Sequence, residues 1–245
     1  MRMMIAVLLL LGLTGCLGNS KGQKDEVGPS GYSEAKEKAL AAFEPAAQKE
    51  QAVLQESVAA EGASAPVQNV ETAEFEPFVI YGDKGSRENH FIPSGWMGDY
   101  LDIRLNDGYT ESPHSGKTCV KIEYLPLASK GSRWAGVYWQ YPQNNWGNID
   151  KGYDLTGASR LIFWAKGEKG SERIQEFKIG GISGEYSDSD SASIGPIALT
   201  AEWQQYEIDL SGKDLSHLIG GFAWATNLDV NPEGAVFYLD DIRFE

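Results

Sequence analysis

Residues 134–148 read WAGVYWQYPQNNWGN and hold three tryptophans, two tyrosines, two adjacent asparagines, two glutamines and two glycines. Flat rings beside side-chain amides can do one kind of recognition chemistry well. A pyranose ring presents a weakly polar patch of axial C–H groups, which lies against an aromatic face. Its hydroxyls, around the edge, each donate and accept hydrogen bonds. Trp146, set between Asn145 and Gly147 on a loop, is expected to be the exposed stacking platform, with Asn145, Tyr138 and Gln140 beside it to bond hydroxyls. Side chains alternate across a strand. On that basis Trp164 and Lys166 of SRLIFWAK, Glu176 and Lys178 of RIQEFKIG, and Trp224 of LIGGFAWA extend the same face. Leu161, Phe163, Ala165, Phe177, Ile179, Val137 and Trp139 fall on the opposite, core face.

Hydrolysis of a glycoside would need two carboxylates roughly 5–10 Å apart, one of them with a raised pKa. Glu185, Asp188 and Asp190 lie in SGEYSDSDSAS, where Ser, Asp and Gly cluster. Such a segment reads as a mobile, solvated loop that raises no pKa. His90, His114 and His217 show no metal-ligand spacing, and there is neither a GxSxG elbow nor a phosphate-binding loop. These residues favour a binder over an enzyme, with no catalytic residue.

The elements that would position them begin near residue 75. Nine short alternating runs follow, EPFVIY, YLDIRL, TCVKIEYL, WAGVYWQY, SRLIFWAK, RIQEFKIG, WQQYEIDL, LIGGFAWA and AVFYLDDIRFE, separated by Gly, Asn, Asp and Pro. Spaced strands over about 170 residues without a helical period imply an all-β, antiparallel sandwich or barrel. A domain of that size buries a core without a disulfide. Cys119, on a strand pattern, is expected to be a buried, inert thiol.

Three stretches carry a family resemblance. SPHSGKTCVKIEY, YDLTGASRLIFWAKGE, and EWQQYEIDLSG followed by AVFYLDDIRFE resemble, in order and spacing, carbohydrate-binding modules of the galactose-binding-like β-jelly-roll group. The resemblance spans roughly residues 78–245. It implies a jelly-roll sandwich that binds a glycan or polysaccharide without cleaving it. It also implies a structural calcium where the first and last strands meet, with Asp240 or Asp241, the Lys117 carbonyl and Asp83 as the ligands carried over.

The N-terminus sets location. Arg2, a short apolar run and LTGC have the form of a secretory signal, and LTGC resembles the bacterial lipobox, in which the cysteine is acylated. Residues 1–15 are therefore expected to be a lipoprotein signal peptide and Cys16 the lipidated residue. Leu17 after it resembles the outer-membrane sorting class, so a lipid-anchored envelope protein is expected. Residues 16–74, rich in Ala, Glu, Gln and Lys, read as an anchor and a flexible, partly helical tether, and residues 75–245 as the sandwich. Removing residues 1–15 takes away one arginine and no acid, so the formal charge goes from −14 to −15. Such a surface repels nucleic acid and anionic headgroups, leaving the lipid as the membrane contact. A monomer is expected. The alternative class is an envelope scaffold whose aromatics face a protein partner.

Overall fold

The structure, a computed structural model, describes residues 75–245; the expected lipidation site Cys16 and the expected tether lie outside the described residues. Thirteen strands follow in chain order: β1 Phe78–Tyr81, β2 Ile92–Gly98, β3 Ile103–Tyr109, β4 Cys119–Tyr124, β5 Trp134–Gln140, β6 Arg160–Gly167, β7 Arg173–Ile174, β8 Glu176–Gly180, β9 Ser191–Ile194, β10 Ile197–Ala198, β11 Gln204–Asp209, β12 Gly220–Asn227 and β13 Ala235–Phe244. A single 3-10 turn, Tyr100–Asp102, precedes β3. One sheet runs β11-β6-β13-β4-β3, with β1 also on β13, and the facing sheet runs β2-β5-β12-β8-β9. Every strand pairing is antiparallel. The chain crosses repeatedly between the two sheets, and the expected antiparallel jelly-roll sandwich is the fold observed.

Period-two alternation explains the core. Leu161, Phe163 and Ala165 of β6, Phe237 and Leu239 of β13, and Val120 and Ile122 of β4 are buried from one side, and Val137, Trp139, Phe177, Ile179, Phe222 and Trp224 from the other. Trp224 stands edge-on to Phe237 of the opposite sheet, ring centroids 5.0 Å apart at 85°. Trp224 is thus a core residue of the inner face of β12, not part of an outer binding surface. Cys119 is fully buried, and burial, then the charge of Asp240, pushes its thiol up to about 11.

β2 has no counterpart among the nine sequence runs. Its sequence, IPSGWMG, contains Pro93 and Gly95, which break the alternating pattern. Its position on a sheet edge tolerates Pro. Gly95 is required sterically, since a Cβ there would lie 2.7 Å from the Tyr138 Cβ.

Candidate functional site

The residues expected on one surface are divided between the two outer faces of the sandwich. Glu176 and Lys178 lie on β8 in the sheet of β5, while Trp164 and Lys166 lie on β6 in the other sheet.

The outer face of the β5 sheet is covered. A second apolar cluster of Met97, Tyr138, Trp146, Ile182, Ile219 and Ala223 sits on it, with Trp134 packed alongside. Trp146 retains 2 % of its exposure and meets Tyr138 edge-to-face at 6.1 Å. The expected platform is therefore a packing residue. The amides around it serve the loop itself. Asn145 donates to the carbonyls of Ile149 and Lys151 and accepts from the N–H groups of Gly147 and Ile149. Gln140 donates to the Asn145 carbonyl at 2.7 Å and accepts from Ser94 at 3.0 Å. The Tyr138 hydroxyl donates to the Gly180 carbonyl at 2.9 Å. Trp146, Asn145, Tyr138 and Gln140 thus have their apolar and polar surfaces satisfied internally, and the expectation that they touch a ligand is corrected.

The loop after β8 completes the cover. Gly147, at φ +80°, lies against Ser183, where a Cβ would come within 2.7 Å of the carbonyl oxygen. Asp188 accepts N–H groups from Ile182 at 2.7 Å and Gly220 at 3.1 Å, and burial pushes its carboxyl up to about 6. The segment expected to be a mobile, solvated loop without a shifted acid is in fact fastened to the sheet by one. Lys178 is buried as well, and burial lowers its pKa.

The outer face of the β6 sheet carries an open aromatic patch. Register places Lys166 beside Tyr238 and Tyr238 beside Lys121 across β6, β13 and β4. Trp164 stands between Asp240 and Gln205 on the neighbouring strands. Trp203, just before β11, and Tyr109, at the end of β3, flank this row. Lys166 Nζ lies 5.1 Å from the ring centroids of both Trp203 and Tyr238, and Lys121 Nζ 5.1 Å from that of Tyr109. The Tyr109 and Tyr238 rings are 5.5 Å apart. The Tyr238 hydroxyl donates to Glu168, and its pKa is raised by burial and by that carboxylate, so it remains a donor at neutral pH. Trp164, Trp203, Tyr109 and Lys166 are each partly exposed, and Gln205 and Glu168 are exposed.

A strap, residues 112–118, borders the patch. His114 stacks on Trp164 with ring centroids 3.7 Å apart, and the Trp203 indole N–H donates to the Ser112 carbonyl at 3.1 Å. Three acids hold the strap. Asp240 accepts from the backbone N–H of His114 at 2.8 Å and of Ser115 at 3.3 Å. Asp241 pairs with His114 Nδ1 at 2.7 Å and accepts from Ser115 Oγ at 2.9 Å. Asp83 Oδ1 accepts from the N–H groups of Lys117 and Thr118, each at 2.7 Å, and from Thr118 Oγ1. Consecutive strand residues normally point to opposite faces. Here a register shift in β13 and a φ of +47° at Asp241 turn both carboxylates toward the strap.

These contacts bear on the expected calcium. Asp83 Oδ1 and both Asp240 oxygens accept amide hydrogens, and Lys117 meets Asp83 through its N–H rather than its carbonyl. No group of three or more His, Cys, Asp or Glu side chains among the described residues is set to hold a metal ion. Asp83, Lys117, Asp240 and Asp241 fit an amide-bonded strap and do not fit a calcium cage.

Trp203, Gln205, Tyr238, Tyr109, Lys121 and Glu168 were not among the expected site residues. Tyr238 was accessible from alternation in AVFYLDDI, opposite Leu239. Trp203 was not, because it precedes its strand.

No family model matches the sequence, and no curated protein matches it. Solved structures with a similar fold include a family 30 carbohydrate binding module, 16 % identical, covering 70 % of this chain and 88 % of that chain, with a TM-score of 0.44. The family 30 module of a cellulosomal cellulase of Clostridium thermocellum is 15 % identical, covering 69 % of this chain and 97 % of that chain, at a TM-score of 0.44. A family 29 carbohydrate binding module is 12 % identical, covering 69 % and 91 %, at 0.43.

Proposed function

We propose that this chain binds a glycan without cleaving it, through the outer face of the β6 sheet. The observation that carries the reading is the open patch on which Trp164, Trp203 and Tyr109 are partly exposed beside Lys166, Lys121, Gln205 and Glu168. Rings supply faces for C–H stacking. Lysine supplies donors, glutamate acceptors and glutamine both, which matches the mixed edge of a sugar. Because Lys166 and Lys121 sit around the rings together with Glu168, the complementary ligand is a neutral polysaccharide rather than a strongly charged one. The buried Trp146 cluster on the other face takes no part. The sequence LTGC further supports attachment of the chain to a bacterial envelope through a lipid on Cys16, and Leu17 after it supports placement at the outer membrane. A panel of soluble and insoluble glycans, probed with the full chain in detergent, tests the binding reading. Retention on at least one neutral polysaccharide, lost in Trp203→Ala, is expected. If no glycan retains the chain, the patch is a protein-docking face and the reading fails.

A further inference from the structure

At one end of the sandwich two carboxylates are buried without a cation. Asp99 and Asp102, on either side of the 3-10 turn's first residues, are both 0 % exposed. Neither forms an ion pair among the described residues. The cations of the covering loop are turned elsewhere. Arg133 pairs with Asp229, and Lys130 lies over the Tyr100 ring at 4.7 Å. Asp99 accepts the backbone N–H groups of Lys130 at 2.8 Å, Ser132 at 3.1 Å and Arg133 at 2.6 Å. Asp102 Oδ2 accepts only that of Ser129, at 3.2 Å, and Asp102 Oδ1 is buried with no hydrogen-bond partner.

A second group points to the same gap. The Tyr124 hydroxyl is buried and also lacks a partner. Register pairs Tyr124 with Ile103, the residue after Asp102. The Leu125 N–H donates to the Asp102 carbonyl at 2.8 Å, so the residue after Tyr124 lies against Asp102. Burial raises the Tyr124 pKa most, and the charges of Asp102 and then Asp99 raise it further. Buried charge is ordinarily paired or metal-bound, and a buried acceptor is ordinarily bonded. Asp99 is bonded to backbone N–H groups but has no counter-charge, and Asp102 Oδ1 and the Tyr124 hydroxyl, on neighbouring segments, have no partner among the protein atoms.

We propose that Asp102 and Tyr124, with the charge of Asp99 beside them, form a binding site for a hard cation, calcium, beneath the loop of residues 125–133. Calcium takes six to eight oxygen ligands from carboxylates, backbone carbonyls and water, and tolerates irregular geometry. Asp102 Oδ1 is the free anionic ligand and Tyr124 Oη a neutral one; Asp99, whose oxygens already accept three amide hydrogens, is not a ligand but adds an uncompensated charge nearby and fixes the loop. The remaining positions fall to loop carbonyls and water. The site is distinct from the strap acids Asp83, Asp240 and Asp241 and does not depend on the glycan reading.

The test is thermal unfolding of the full chain in detergent, after chelation and after titration with CaCl2, MgCl2 or NaCl, with elemental analysis of the purified protein. Calcium at about a hundred times its Kd is expected to raise Tm by about 5–10 °C, and magnesium and sodium by much less. Asp102→Asn should lose the calcium response, Tyr124→Phe should weaken calcium affinity several-fold, and Asp240→Asn should keep it. If Asp102→Asn does not fold, the Tyr124→Phe titration decides. An unchanged Tm with no bound metal, or a response lost in Asp240→Asn and retained in Tyr124→Phe, would overturn the proposal.

Discussion

Two tryptophan truncations should have opposite signatures. Trp146→Ala removes an indole that is 2 % exposed and packed on Tyr138, Met97 and Ile182. A buried tryptophan covers about 150–250 Å². At about 25 cal/mol per Å² that is roughly 4–6 kcal/mol as an upper value, and partial collapse of the cavity brings the expected loss to about 3–5 kcal/mol. For a domain of this size each kcal/mol moves Tm by about 2–4 °C, so a fall of roughly 6–20 °C is expected. Glycan affinity of the fraction that stays folded should be unchanged, because the Trp146 cluster lies on the opposite face. Trp203→Ala removes a half-buried ring, one hydrogen bond to Ser112 and one contact with Lys166. Its stability cost should be about 1 kcal/mol, while affinity should fall more than tenfold, about 1.4 kcal/mol. Urea unfolding and isothermal titration with a retained glycan measure the two quantities separately. If Trp146→Ala melts within about 2 °C of the wild type and loses binding, the cluster is a platform after all and the assignment of faces is wrong.

The remaining predictions concern charge, backbone and anchor. Asp240 is pushed up to about 6, from 3.8, by burial and then by the neighbouring Asp241. The folded state therefore holds that proton more tightly than the unfolded chain does; the stability this gives is full below about pH 4 and is lost as pH rises through about 6. Asp240→Asn should accordingly gain on the wild type across that window, by an amount of order 3 kcal/mol; parallel stability curves from pH 4 to 7 would contradict this. Gly147→Ala should destabilise the domain by more than 1 kcal/mol, since φ is +80° and the new Cβ meets the Ser183 carbonyl at 2.7 Å; a denaturation midpoint equal to that of the wild type would be the opposing result. In bacteria the chain should incorporate a palmitate analogue and partition into detergent, and Cys16→Ser should abolish labelling; an unlabelled, soluble wild type sinks the anchor.

Strand alternation was legible in the sequence because it is local. SRLIFWAK puts Leu161, Phe163 and Ala165 inward and Trp164 and Lys166 outward, and the structure agrees. Alternation assigns a side chain to a face, however, and does not say whether that face meets water. Tyr138 and Gln140 point away from the main core as expected, yet both are fully buried, because residues 141–149 and the loop after β8 fold over them. That cover depends on long-range fastenings, such as Asp188 to Gly220, that no short window displays. Nor does alternation say which strands share a sheet. Glu176 and Trp164 were grouped by their local pattern, and the strand order alone puts them on opposite outer faces.

The acids show the same limit in chemical form. A carboxylate suits an amide hydrogen and a calcium ion for the same reason, its negative oxygen lone pairs, so the residue types in YLDDI and YGDKG do not discriminate between them. The discrimination lies in which backbone group faces the oxygen. The strap presents N–H groups to Asp83 and Asp240, and amide hydrogens repel a cation. The loop after β4 satisfies Asp99 in the same way but leaves Asp102 Oδ1 and the Tyr124 hydroxyl bare. In sequence Asp102 looks like the polar member of a strand, YLDIRL, and nothing marks it as a ligand. The surroundings of the two acids are made far along the chain, through the Ser129 N–H to Asp102, 27 positions on, and the Lys130 N–H to Asp99, 31 positions on. A cation site of this kind is created by what a loop fails to donate, and only the folded backbone shows where that is.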